Sequence, residues 1–257
     1  MNDYLLDDIE MATFIVNGYY LIQLDDVPGL HKKIAAAFGN LDRNPGDDVA
    51  NEISELQEIM THPKLTGPLR SILGDAFEFN AHRHWHCKKP GAGYMHWHQD
   101  SVNNRDHSIK RCLALYYPED VTADMGPTMI VPGTHYRNAP TDRMAHYYNI
   151  IGQIPLIVKA GTIAITHYDL WHGTAPNTSD KKRHMMKFLV NRTASNSTPT
   201  WNHDPAWDDN DLDWNHEKKS VKQVLTFSNP LDVSQSDLYK ERKLRNKSWH
   251  ELLGESE

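Results

Sequence analysis

Gly93-Tyr94-Met95-His96-Trp97-His98-Gln99-Asp100 follows Pro90-Gly91-Ala92, a tight turn suited to feed a strand. Side chains of a strand alternate faces, so His98 and Asp100 are expected to present an imidazole and a carboxylate together, with Gln99 turned away. A third ligand then has to come from a distant strand. Thr166-His167-Tyr168-Asp169-Leu170-Trp171-His172-Gly173-Thr174 offers one at His172, after the alternating run Thr162-Ile163-Ala164-Ile165-Thr166. Two imidazoles and one carboxylate on one face of a cation leave adjacent coordination positions open, the arrangement of non-haem Fe(II) oxygenases. His98, Asp100 and His172 are therefore the expected metal ligands.

His-x-Asp alone says little in a chain with 16 histidines. Arg183 adds weight. It opens the strand-like run ending Met185-Met186-Lys187-Phe188-Leu189-Val190. An Arg aimed into a barrel is costly to bury unless it meets an anion. A dicarboxylate co-substrate would supply one, and a guanidinium grips carboxylate in a bidentate way. Two rival readings use the same residues. His96 shares the face of His98, and His-x-His resembles the cupin pattern, but Val102 and Asn103 stand where its Glu would be. A zinc hydrolase also uses His and Asp ligands. Neither rival accounts for Arg183 or Thr174, and His96 is expected near the site, outside the ligand set. Between His172 and the competitor His167, the strand-end position of His167 favours His172 as the third ligand.

Together these residues resemble the phytanoyl-CoA dioxygenase-like group of Fe(II)/2-oxoglutarate-dependent oxygenases. The resemblance rests on His98-Gln99-Asp100, on Gly126-Pro127-Thr128-Met129-Ile130-Val131-Pro132-Gly133-Thr134-His135, and on His172-Gly173-Thr174-Ala175-Pro176-Asn177 followed by Arg183, over roughly residues 10–195. It implies a mainly β fold with flanking helices, a double-stranded β-helix (jelly-roll, cupin-like barrel). It implies Fe(II), 2-oxoglutarate and O2, with the far carboxylate of 2-oxoglutarate on Arg183 and the Thr174 hydroxyl. The implied reaction hydroxylates an unactivated C–H bond and releases succinate and CO2. Related halogenases carry Ala or Gly where Asp100 stands, so with the carboxylate present the resemblance implies hydroxylation or another oxidative step. Met185 departs from the Ser or Thr many relatives place two residues after the Arg, and is the one support for a barrel that keeps a metal without catalysis. Tyr116 falls where relatives often show a pocket-lining Trp.

The 257 residues, 39% hydrophobic, suffice for one core, and the chain is expected to form a single domain (1–257): helical cover at about 25–74, barrel at about 76–192, extension at about 193–257. Net charge of −7 and a pI near 6.1 argue against nucleic acid. No run of about 18 apolar residues suggests a membrane span, and Met1-Asn2-Asp3-Tyr4 does not read as a signal peptide. Cys87 and Cys112 read as reduced thiols of a cytoplasmic protein. Arg83, Lys88, Lys89, Arg105, Lys110 and Arg111 are scattered, which favours a small-molecule substrate over one as large and anionic as coenzyme A.

Along the chain, Phe14 to Leu24 reads as a strand broken by Asn17-Gly18. Asp25-Asp26 and Pro28 open a helix with Leu30, Ile34, Ala37 and Phe38 on one face and Gly39 at its end. Further helices are expected over about Val49–Met60 and Pro63–Leu73. Phe77 to Lys88 alternates, placing Asn80, His82, His84 and His86 on one face. Strands follow at Ile109–Tyr117, Gly126–Val131, Ile154–Val158, Thr162–Thr166 and Met185–Asn191. Tyr136–Gly152 reads as an insertion, with Arg137, Arg143, His146, Tyr147 and Tyr148 available as a lid or as a solvated loop. Trp201, Trp207 and Trp214 are expected to pack the tail back on the domain. Gln235–Leu253 reads as a terminal helix that covers the barrel or makes a homodimer contact.

Overall fold

The computed structural model describes residues 4–101, 107–137, 148–207, 220–228 and 234–255. Among the described residues, nine strands form two antiparallel sheets in a jelly roll. The larger has the order β1 (Tyr19–Gln23), β7 (Thr162–His167), β4 (Arg111–Tyr117), β9 (Arg183–Arg192), β2 (Phe77–Lys88). The smaller runs β3 (Met95–His98), β8 (His172–Thr174), β5 (Thr128–Ile130), β6 (Ile154–Pro155). Helices α1 (Asp8–Asn17), α2 (Pro28–Gly39), α3 (Val49–Glu52), α4 (Leu56–Thr61) and α5 (Pro63–Leu73) precede β2. Helices α6 (Val221–Leu225) and α7 (Gln235–Leu253) follow the last strand.

The strands of the larger sheet sort their residues by parity. Cys112, Ala114 and Tyr116 of β4 join Ile163, Ile165, Met186 and Phe188 against the helices. Leu113, Leu115 and Tyr117 face the other way, with Ala164 and Met185, onto Ile130 and Leu156 beneath the smaller sheet. Covered on both faces, Cys112 to Tyr117 are all buried. Such strands carry apolar side chains continuously instead of in alternation.

Several expectations are corrected. Phe14 to Asn17 belong to helix α1 (Asp8–Asn17), not to a strand. Asp7 and Glu10 make a reciprocal capping box, and Gly18 ends the helix at φ 75°, a left-handed conformation that suits glycine. Only Tyr19–Gln23 is strand. Helix α2 begins at Pro28 behind Val27 without an Asp cap, and Asn40, not Gly39, is its C-cap. The helix expected over Val49–Met60 is two, because Ile53 leaves helical geometry (φ −121°, ψ 87°). The break still buries Ile53, Leu56 and Ile59. Asp100 lies beyond the end of β3, on a bend, so strand alternation does not place it. Tyr116 points into the helix-side core, its hydroxyl 2.8 Å from Nδ1 of buried His31, and does not line the cavity. Arg143, His146, Tyr147 and Trp214 lie outside the described residues.

The tail does pack back. Trp201 is buried against Trp249 of α7 with ring centroids 5.5 Å apart. Its indole N–H donates to Oδ1 of Asp8 at 2.6 Å, His203 Nδ1 lies 2.8 Å from the same oxygen, and the Asp204 N–H donates to Oδ2 at 2.8 Å. Asp8 and Trp201 are both buried, so the indole N–H has no water to replace the carboxylate. Asp8→Ala strands that buried donor at about 1–3 kcal/mol. The expected outcome is a lower urea midpoint with an unchanged slope, read by circular dichroism; an unchanged midpoint would contradict this account of the tail.

Candidate metal and co-substrate site

The antiparallel pairing of β3 with β8 puts His98 opposite His172. Their ring centroids are 4.2 Å apart. Between Met95 and His98 the strand β3 carries one residue more than β8 does, a bulge that re-aims the side chains beyond it. Gly173 sits under this bulge. A Cβ there would stand 2.7 Å from the Met95 carbonyl oxygen and 3.3 Å from that of His96, so the close approach of the two strands requires glycine.

Each imidazole is fixed through its Nδ1. That of His98 is 2.9 Å from the His96 carbonyl oxygen and that of His172 is 2.9 Å from the Leu170 carbonyl oxygen. A carbonyl accepts only, so Nδ1 carries the proton and both Nε2 lone pairs are left for a cation. Oδ1 of Asp100 lies 3.7 Å from Nε2 of His98 and 3.8 Å from Nε2 of His172. All three ligand atoms fall within 4.8 Å of one another. Oδ2 accepts from Lys187 Nζ at 3.0 Å. Burial alone would raise the Asp100 carboxyl; His172, Lys187 and His98 beside it hold it below the usual value. Burial, with His98 alongside, lowers His172 to about 4, so both ligand types are in the state a metal needs at neutral pH. His96 is exposed, packs its ring on Tyr94 and contributes its carbonyl, not its imidazole. The cupin-like reading, which needs His96 as a ligand, is not favoured. Buried His167 accepts from the Asp169 N–H and is likewise outside the triad.

The triad opens on a cavity of about 290 Å³ whose lining includes Arg183, Thr174, Lys88, His86, Met185 and Lys187. Arg183 is buried, and its Nε and Nη1 find no protein acceptor. Lys88 pairs with it directly across β2 and β9. Two like charges opposite one another repel. Burial, then Arg183, lowers Lys88 to about 8. Its Nζ donates to Oγ1 of Thr174 at 2.7 Å and to the Gly93 carbonyl at 2.6 Å. Gly126, at φ 68°, makes room for it: a Cβ there would stand 2.6 Å from the lysine Cε. The cavity thus ends in two cations and a hydroxyl, a place for an anion. Strand parity signals both lysines that sequence reasoning passed over. Lys88 continues the face of His84 and His86, and Lys187 that of Arg183 and Met185.

The family described as Phytanoyl-CoA dioxygenase (PhyH) matches residues 31–185. The uncharacterized protein Rv1501 of Mycobacterium tuberculosis is 31% identical over 87 residues, which are 34% of this chain and 31% of that protein. The match thus spans less than a third of that curated relative. Among solved structures, HygX from Streptomyces hygroscopicus with nickel and 2-oxoglutarate bound superposes with a TM-score of 0.62 at 16% identity, over 74% of this chain and 88% of that one. The epimerase SnoN from nogalamycin biosynthesis does so with a TM-score of 0.57 at 15% identity, over 71% and 81%. These similarities concern the fold.

Burial also sets the pH response. It lowers His86 to about 3 and His184 to about 4, against 6.5 for a free imidazole. His184 accepts from the Trp85 indole at 3.2 Å and stacks on that ring. Below pH 6.5 the unfolded chain binds protons these folded imidazoles refuse, so their contribution is complete above 6.5 and is lost as pH falls towards 4. The urea midpoint of metal-free protein is expected to drop across that window, and less steeply in His184→Gln. Equal slopes in the two proteins would rule out His184 as a contributor.

Proposed function

The chain belongs to the phytanoyl-CoA dioxygenase family, and from that membership we propose that it is an Fe(II)- and 2-oxoglutarate-dependent oxygenase that hydroxylates a small-molecule metabolite. The carrying observation is the convergence of Nε2 of His98, Nε2 of His172 and Oδ1 of Asp100 above a cavity that ends at a buried, unpaired guanidinium.

The residues fit the groups the family uses. Oδ1 of Asp100 stands within 4 Å of both Nε2 atoms, so one cation could be shared by all three side chains. His98, Asp100 and His172 hold the ion in this reading. Arg183, aided by Thr174 and Lys88, takes the far carboxylate of 2-oxoglutarate. When bound, iron and 2-oxoglutarate supply O2 activation coupled to decarboxylation to succinate and CO2. The protein's own part is positional. Lys187 holds the second oxygen of Asp100 and keeps the first aimed at the triad. The carbonyls of His96 and Leu170 keep both imidazoles in one tautomer. Leu115, Met95 and Met185 supply an apolar wall. Met185, where a hydroxyl residue would be usual, is offset by Lys88, which brings a second cation to the same end.

A recess of about 150 Å³ adjoins the cavity through Met95 and Thr174, with Tyr94, Trp97 and Tyr148 around it. It supports a small organic substrate with an apolar or aromatic portion. HygX, with hygromycin B bound, shows that the same fold takes a small molecule. The two free cysteines and a length of helix nowhere long and apolar enough to cross a membrane, among the described residues, agree with a cytoplasmic place.

Under Fe(II) and O2 the chain is expected to convert 2-oxoglutarate to succinate, faster when a screened metabolite is a substrate. Asp100→Ala and His98→Ala are each expected to lower that turnover at least a hundredfold. Arg183→Ala is expected to raise KM for 2-oxoglutarate at least tenfold, with a smaller effect on kcat. Unchanged turnover in Asp100→Ala would remove the assignment. A product of unchanged mass, in place of one oxygen gained, would replace hydroxylation by an epimerisation, the reaction for which SnoN is named.

A further inference from the structure

A second group of ligand-bearing side chains lies on the outer end of β2. Between Phe79 and Arg83 this strand advances four residues while β9 advances two. The extra residues form a bulge, a device that redirects side chains. The Asn80 side chain accepts from the His82 N–H at 2.8 Å and holds the bulge in shape. The rings of His82 and His84 are thereby brought to a centroid distance of 4.3 Å. Asp47 arrives from the turn Gly46–Asp48, between α2 and α3. Its Oδ1 accepts from the Arg83 N–H at 3.0 Å and lies 3.1 Å from Nδ1 of His82.

One ligand atom from each of Asp47, His82 and His84 falls within 4.8 Å of the other two. A simple ion pair needs one imidazole, whereas here two converge on one carboxylate. We propose that Asp47, His82 and His84 form a second metal site, separate from the triad, for one divalent cation of the borderline class: Zn²⁺, Ni²⁺ or Cu²⁺. Two nitrogen donors select these ions over Mg²⁺ and Ca²⁺, which prefer oxygen. Water completes the coordination, since His82 and Asp47 are half exposed. The Arg83 N–H, with His82 and His84, holds the Asp47 carboxyl below its usual value. Burial lowers His84 below the usual imidazole value. The bound ion ties the turn before α3 to the sheet. The site is one imidazole from the cavity, since the His84 ring lies 5.7 Å from that of His86.

The test is zinc titration of the metal-free full chain against a chromophoric chelator. The unaltered protein is expected to bind two equivalents. Asp47→Asn and His82→Ala are each expected to bind one, with the second weakened at least tenfold, while the absorption band of the anaerobic Fe(II)/2-oxoglutarate complex is unchanged. His98→Ala is expected to keep one equivalent and a zinc-dependent rise in Tm that His98→Ala/His82→Ala loses. His82→Gln, checked by circular dichroism, replaces any variant that does not fold. A single equivalent in the unaltered protein, or a second one undiminished in both Asp47→Asn and His82→Ala, overturns the proposal.

Discussion

The register of β3 against β8 is the constraint on which the site depends. These strands are four and three residues long, and few hydrogen bonds join them. Yet a one-residue slip would turn His172 away from His98, because strand side chains alternate with period two. The pairing is held from both sides. On its far edge β8 pairs with β5, with His172 opposite Ile130 and Thr174 opposite Thr128. Beneath it, Ile130, Leu156 and Leu170 pack on the inner face of the larger sheet. The apolar layer between the sheets thus fixes the imidazoles as much as any polar contact does.

The inner end of the cavity follows a different logic. Burying Arg183 beside Lys88 stabilises nothing in the chain itself; removing a cation from water costs several kcal/mol unless an anion answers it. Donors without acceptors and like charges across a strand pair are what a fold tolerates where a ligand completes it. Lys187 differs from this pair. It spends its charge on Asp100 and belongs to the other end of the cavity, where negative charge is already present. The first half of β9 therefore carries two cations with opposite tasks, Arg183 and Lys187, four residues apart on one face.

Much of this was legible in the residues. Alternation located β2, β7 and β9, because long strands against a core repeat the signal several times. Helix α5 was readable to the residue from Pro63 and Gly74, and α7 keeps the expected bounds Gln235–Leu253 although its Leu238, Arg242, Arg245 and Trp249 are placed irregularly. Helix α1 was not, although Asp7 and Glu10 form a capping box; its Phe14-Ile15-Val16 run is β-branched and aromatic and hides the helix in a strand-like composition. Tyr116 was misplaced by a single residue of parity, since Tyr117 is the neighbour that faces the inner layer, with its hydroxyl on Thr128. Asp100 was found by motif although it lies past the strand that was to position it. The two cavity lysines were passed over because a lysine on a strand is usually solvated, and only the partner strand reveals that these are covered.

Gly173 carries one more implication. Its missing side chain lets the bulged strand come near, and the carbonyl that comes nearest after Met95 belongs to His96, the same oxygen that receives the His98 ring proton. An alanine methyl would push that oxygen aside. Freed from it, the imidazole would exchange its two tautomers, one of which points a hydrogen, instead of a lone pair, at the cation. A void the size of one carbon atom thereby governs the whereabouts of a proton several bonds away.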